Sequence, residues 1–384
     1  MKVFPFSLPG VVYLGTDSLA KLSVEVEKMG VKKIFLITDK GLMNAGVSQK
    51  VGDCLAGNGV EITVYSEAER EPSVENVEKA AHELKKGAYD LVIGLGGGSP
   101  LDVAKGSAVL ANNEGSILDY VGVDLIPKPG LPLVLIPTTA GTGAEVTKNA
   151  IFTDVKAQLK KGVVSEYLLP RVAIVDPKLT ISVPAKITAA TGMDALTHAI
   201  ESYTSPKATI QTDLYALEAI KLISGNLRRV VSDGSDLEAR EKMAAGSMFA
   251  GISLANAGVG AVHALAYPLG GQFGISHGLA NALLLPYVME FNIIGDLEKF
   301  KNVAAAMGQV VKGKCVREAA FMALTAVQEL SKDIGIPQSL KEVEVPKEAL
   351  EELSLAAVDV KRLLNNNPRQ VELDDIRRIY QAAY

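Results

Sequence analysis

Three of the chain's four histidines, His198, His263 and His277, fall within one stretch of a 384-residue sequence. Asp194 lies four residues before His198 in Gly-Met-Asp-Ala-Leu-Thr-His. Positions four apart share a helix face, so the carboxylate and the imidazole can address one atom. With His263 and His277 added, the set is one oxygen and three nitrogen donors, which suits a borderline divalent metal such as iron(II) or zinc. For any one of these histidines alone, an ordinary partly buried side chain is the plainer reading. The fourth, His82, sits among Glu, Lys and Ala and reads as a solvated helix face.

A second constellation is Leu95-Gly96-Gly97-Gly98-Ser99-Pro100-Leu101-Asp102. An apolar strand runs into glycines and then into helix-start signals, with Ser99 as the expected N-cap and Pro100 in the first turn. Gly97, Gly98 and the amides near Ser99 would let a pyrophosphate approach the backbone at a helix N-terminus. The spacing is neither a Walker loop nor the Gly-x-Gly-x-x-Gly fingerprint, and a plain strand-to-helix turn explains it equally well. Pro137-Thr138-Thr139-Ala140-Gly141-Thr142-Gly143 leaves another strand and gathers hydroxyls able to bond phosphate, ribose or amide. Asp39 closes an early strand, where open α/β sheets bind ligands and where a carboxylate can accept from ribose hydroxyls. Position alone leaves it a loop aspartate.

These residues need elements to hold them. Apolar runs at Lys33–Thr38, Glu61–Tyr65, Asp90–Leu95, Leu133–Ile136 and Val172–Val175 alternate with helix-like stretches Ser18–Met29, Val74–Lys86 and Leu101–Asn112. That alternation predicts a largely parallel sheet covered on both faces. After Pro184 the sequence turns rich in Ala, Leu, Glu and Lys with helical spacing. Helices are expected over Lys186–Thr204, Ile210–Asn226, Leu237–Ala250 and Gly278–Asn292. The expected organisation is an α/β domain over residues 1–184 and an all-helical domain over residues 185–384.

Composition narrows the function. A net charge of −5 and a sequence pI of 5.6 argue against a general nucleic-acid binder. The aromatic content of 5%, with no tryptophan, offers few stacking platforms. No run reaches the roughly 18 uninterrupted apolar residues of a membrane span. The N-terminus lacks the plan of a signal peptide. Two distant cysteines, Cys54 and Cys315, suggest a reducing cytoplasm.

Taken together, the motifs resemble those of the iron-containing, group III alcohol dehydrogenases over nearly the whole chain. The resemblance rests on Gly96 to Asp102, Pro137 to Thr147, Val175-Asp176-Pro177-Lys178-Leu179-Thr180, Thr191 to Glu201, His263, His277 and Asn367-Pro368-Arg369. It implies an NAD(H)-dependent oxidoreductase acting on a small alcohol or aldehyde, a short primary alcohol or a diol. Iron(II) or zinc would be held by Asp194, His198, His263 and His277. The cofactor would meet Asp39, Gly97, Gly98, Ser99, Thr138, Thr139, Thr142, Thr147 and Lys160, with Leu179 near the nicotinamide. Tyr267 stands where many relatives have a further histidine, so a phenol would have to carry any proton relay. Glu71-Pro72-Ser73 replaces a Pro-Asn-Pro of some diol-specific members. Asp359 to Pro368 replaces a cysteine-containing stretch and is expected to border the substrate pocket. A homodimer or larger homo-oligomer is expected, with Val3-Phe4-Pro5-Phe6 as a candidate pairing strand.

Competing readings are a glycerol dehydrogenase, a metal- and NAD-dependent lyase resembling dehydroquinate synthase, and a non-catalytic metal-binding protein. The lyase needs cationic side chains for a phosphorylated sugar acid. Met193–Tyr203 and Gly258–Leu284 contain no Lys or Arg.

Overall fold

A computed structural model of the chain describes residues 3–157 and 159–384. The chain divides into two compact units, Met1–Ser182 and Val183–Tyr384.

In the first unit the strands are β1 (Val11–Leu14), β2 (Lys33–Ile37), β3 (Glu61–Tyr65), β4 (Leu91–Gly96), β5 (Gly122–Val123), β6 (Leu133–Pro137), β7 (Asn149–Asp154), β8 (Leu159–Val164) and β9 (Val172–Val175). Its helices are α1 (Lys21–Met29), α2 (Lys40–Asn44), α3 (Val47–Leu55), α4 (Val74–Lys85) and α5 (Gly98–Leu110). Six strands form one sheet in the order β1-β9-β6-β4-β2-β3, with parallel pairing throughout. β4, β6 and β9 are buried along their whole length, as strands covered on both faces must be. Two apolar clusters flank the sheet. One joins Phe35, Val92 and Leu135 to α4 and α5, and the other joins Ile34, Leu36 and Ile93 to α1 and α3.

Strand order reverses between β2 and β4: from β2 the chain moves outward to β3, whereas β4, β6 and β9 build the other way. Open α/β sheets bind ligands at the carboxyl ends of strands at such a switch point. Asp39 follows β2, Gly97 follows β4, and Thr138 follows the neighbouring β6.

A smaller sheet, β5-β8-β7, includes the antiparallel pair β7 and β8, which strand-helix alternation does not anticipate. β8 is Leu-Lys-Lys-Gly-Val-Val, too polar at its start to read as a strand. Val3–Pro9 forms no strand within the chain, Val3 and Phe4 are exposed, and the edges of the large sheet are β1 and β3.

The second unit is helical: α6 (Ala185–Thr204), α7 (Ile210–Ser232), α8 (Leu237–Ala257), α9 (Ala261–Phe273), α10 (His277–Asn292), α11 (Leu297–Ala306), α12 (Val316–Asp333), α13 (Leu350–Val358), α14 (Lys361–Leu364) and α15 (Leu373–Ala382). α9 is a helix despite Pro268 and the pair Gly270-Gly271, residues that intrinsic propensity disfavours. Burial overrides propensity here, since Ala261 to Leu269 are all buried. The stretch His277–Gly295 has the length and apolarity of a membrane span, with mean hydropathy 1.2, yet it packs as a core helix with 61% of that window buried.

Candidate metal centre and cofactor loops

Three helices supply the metal-binding group. α6 carries Asp194 and His198 one turn apart, α9 brings His263, and α10 begins at His277. Their donor atoms all lie within 4.8 Å of one another. Asp194 Oδ1 is 3.7 Å from His198 Nε2 and 3.8 Å from the Nε2 atoms of His263 and His277. Nitrogen and oxygen donors about 2.0–2.2 Å from a shared centre leave tetrahedral edges only a few tenths of an ångström shorter, so the residues fit a divalent iron or zinc ion. Gly278 lets α10 approach so closely: a Cβ there would lie 2.8 Å from the carbonyl oxygen of Ala190 on α6.

Electrostatics favour the ionised form of Asp194. Burial pushes the Asp194 carboxyl upward, but the facing His198, His277 and His263 and the Asn281 amide outweigh it and hold the group below its usual range. Charge and hydrogen bonding therefore keep the carboxylate ionised, as a ligand must be.

Glu201 has a place in the centre that spacing alone did not reveal. Its Oε2 lies 2.6 Å from His263 Nδ1, and its Oε1 accepts from the Val262 amide at 2.7 Å. A carboxylate on Nδ1 fixes that nitrogen as the protonated one and turns the Nε2 lone pair toward the other donors. The same side chain takes up a free amide in the first turn of α9. Asn281, one turn after His277, directs its Nδ2 at Asp194 Oδ1 over 2.7 Å. Tyr267 lies one turn beyond His263, is buried, and has its ring 6.0 Å from that of His277.

In the first unit, α5 starts at Gly98 with Gly97 as N-cap and no side-chain capping bond. The expected cap, Ser99, lies inside the helix and donates instead to the carbonyl of Arg70. The first amides of α5 are thus left without a side-chain acceptor, a ready site for a phosphate group. The glycine and threonine loops pack together. Thr138 donates its amide to Gly96 O at 2.9 Å, and a Cβ on Gly98 would meet Thr142 Cγ2 at 2.7 Å. Gly98 is therefore required by the neighbouring loop as well as by any ligand. Asp39 caps α2, accepting from Leu42 N at 2.9 Å through one carboxylate oxygen.

Thr147 and Lys160 are both engaged. Fully buried Lys105 on α5 donates to Thr147 O, Thr147 Oγ1 and Asn149 O at 2.9, 3.0 and 2.9 Å, tying the threonine loop to the glycine helix. Burial presses the Lys105 ammonium down to about 8, and raises Asp102 to about 6 and Glu145 to about 7. Lys160 pairs with Glu71 at 2.5 Å. Thr139 lies beside Gly97, and Leu179 is buried in the short turn Pro177–Thr180. Asp359 lies at the end of α13, ahead of α14, and Asn367 accepts from Ala261 N at the start of α9.

A doubly wound parallel sheet is followed by a helical unit whose Asp-His-His-His group, buried at Asp194, His198 and His263 and partly exposed at His277, suits a divalent metal. The sequence pattern of iron-containing alcohol dehydrogenase matches residues 9–177, and that of the Fe-containing alcohol dehydrogenase family, C-terminal, matches residues 188–384. The chain belongs to the iron-containing alcohol dehydrogenase family. It is 45% identical to long-chain-alcohol dehydrogenase 1 of Geobacillus thermodenitrificans, covering 100% of this chain and 98% of that one. A crystal structure of 1,3-propanediol oxidoreductase superposes with a TM-score of 0.97 at 39% identity over 100% of both chains. The sulfoacetaldehyde reductase of Bifidobacterium kashiwanohense, solved in complex with NAD+, gives a TM-score of 0.89 at 32% identity over 100% of this chain and 99% of that one.

Proposed function

We propose that the protein is an NAD(H)-linked oxidoreductase that interconverts small alcohols or diols and their aldehydes at a divalent metal centre. The observation that carries this is the close grouping of Asp194, His198, His263 and His277 in a chain of this family. These four residues would hold iron(II) or zinc, and the ion when bound supplies positive charge for the alkoxide-like oxygen that hydride transfer creates. Asp194 contributes the one anionic donor, and Glu201 keeps His263 in the tautomer that binds.

On the first unit, the amides at the start of α5, with Gly97, Gly98 and Ser99, would receive the pyrophosphate. Asp39 would accept from the adenosine ribose, and Thr138, Thr139 and Thr142 would line the same end of the sheet. Thr147, Lys160 and Leu179 are assigned to the cofactor by family resemblance. Tyr267 is assigned the proton relay, which its burial one turn from a metal-binding histidine supports. The relatives named above span a long-chain alcohol and a short diol, so the panel must cover both.

The test is NADH oxidation with aldehydes of graded length, using metal-free protein reloaded with iron(II) or zinc. His198→Ala should lose metal and activity together while keeping its circular dichroism. Full activity in that variant, or in protein shown to be metal-free, refutes the mechanism. The reading includes a cytoplasmic location, supported by two unbonded cysteines, Cys54 and Cys315, and a homo-oligomer at least dimeric. A monomer mass by light scattering at micromolar concentration would contradict the latter.

A further inference from the structure

Asn281 is fully buried on α10, one turn after His277. Its Nδ2 faces Asp194 Oδ1 at 2.7 Å and the Nε2 atoms of His263 and His277 at 3.1 Å each. A carboxamide has two hydrogens to donate, and here three acceptor atoms converge on them. Its other end is poorly served: the Asn281 carbonyl oxygen is buried and has no hydrogen-bond partner among the described residues. Turning the amide over would set that oxygen against the Asp194 carboxylate, oxygen against oxygen. Only the observed orientation therefore answers the acceptors, and it leaves a buried polar atom unsatisfied, which costs stability. Packing alone would be better served by Leu.

We propose that Asn281 is a fifth residue of the metal centre, a positioning residue whose amide holds the Asp194 carboxylate among the three imidazoles without itself becoming a ligand. This rests on the metal-centre reading above. An ion at the centre takes the lone pairs of His263 and His277 from the amide. Asp194 Oδ1, with more than one lone pair, can serve both the ion and the amide. Asn281 then restrains the single anionic donor, as outer partners of metal ligands do, and losing such a partner typically costs about 10–100-fold in metal affinity.

The experiment is zinc affinity by competition with a chromophoric chelator, for the wild type and for Asn281→Leu. The variant should bind about 10–100-fold more weakly while its circular dichroism matches the wild type. The visible bands of the cobalt(II)-loaded variant should shift, reporting a re-oriented carboxylate, which a merely structural role would leave unmoved. If Asn281→Leu does not fold, a crystal structure of the zinc-loaded wild type decides. Nδ2 within hydrogen-bond distance of Asp194 supports the proposal, and the carbonyl oxygen bound to zinc overturns it. Unchanged affinity in a folded variant, with metal binding normally to the wild type, overturns this inference alone. A wild type that binds no metal overturns the proposed function, and this inference falls with it.

Discussion

Glu201→Gln changes one charge and one atom type, and the geometry dictates its consequence. The carboxylate gives one oxygen to His263 Nδ1 at 2.6 Å and the other to Val262 N at 2.7 Å. A carboxamide has one acceptor end and one donor end. If its oxygen stays on Val262, the amide group faces Nδ1, which must then accept. His263 is driven to the tautomer with hydrogen on Nε2, which cannot bind a metal. If its oxygen stays on Nδ1, the amide group is pressed against the Val262 N–H, and two buried donors oppose one another. The first arrangement gives up the tautomer that binds a metal, and the second leaves a buried polar group unsatisfied at about 1–3 kcal/mol. The expected loss of metal affinity is about 10–100-fold, or roughly 1.4–2.7 kcal/mol. The assay is chelator competition for zinc, with thermal melts of metal-free and zinc-saturated protein beside it. Because the metal stabilises the folded state by mass action, the variant should also need more zinc to reach the same rise in melting temperature. A folded Glu201→Gln protein with affinity within about twofold of the wild type would show that His263 does not depend on this carboxylate.

Two further outcomes follow from the first unit. NAD(H) should be preferred over NADP(H), because a 2′-phosphate near Asp39 meets like charge at a cost of a few kcal/mol, roughly tenfold to a thousandfold in binding. Lys40, the neighbouring cation that could offset this, is paired with Glu67 at 2.7 Å. Asp39→Gly should relax the preference by improving NADPH binding with metal content unchanged, and equal catalytic efficiency with both cofactors in the wild type would refute the placement. Burial raises Glu145 from 4.5 to about 7, so the folded protein holds this proton more tightly than the unfolded chain. Its contribution to stability is whole below about pH 4.5 and is lost as pH rises through about 7, at most about 3 kcal/mol. Relative to wild type, Glu145→Gln should therefore have a melting temperature less dependent on pH across that window, and parallel curves would refute it.

The readable parts of this chain are those where one local pattern determines the structure. Continuous apolar runs announced β2, β4, β6 and β9 because strands buried on both faces admit little else. Asp194 and His198 announced side chains on one helix face because four residues make about one helical turn. α9 was not legible, since Pro268 and Gly270-Gly271 argue against a helix until the burial of its first nine residues is known. Nor was the β7–β8 pair, whose stability comes from its partner strand and whose sequence carries no clean alternation. Ser99 misled for a related reason: a serine after glycines is a good cap in isolation, but here the Arg70 carbonyl claims its hydroxyl and the cap lies two residues earlier, at Gly97.

The roles of Glu201 and Asn281 were the part of the centre left unread, yet a signal for both lay in the sequence. Each helix that presents a metal-binding histidine carries another polar residue one turn further on: Glu201 after His198, Tyr267 after His263, Asn281 after His277. One turn on is the same face, and the residue there is buried in all three helices. A buried polar side chain must find partners, and the groups nearest to hand are the ligands themselves and the ends of the helices that bear them. A residue of the metal-binding group at one position thus makes a polar residue three or four places later a candidate partner, and Glu201 and Asn281 each bond directly to a side chain of that group. For Glu201 and Asn281 the bond is to a ligand of another helix, His263 and Asp194 respectively. Such bonds restrain the helices against one another. Removing one of them should therefore loosen the metal centre as a unit, which is why the Glu201 and Asn281 variants are expected to fail in metal affinity before they fail in fold.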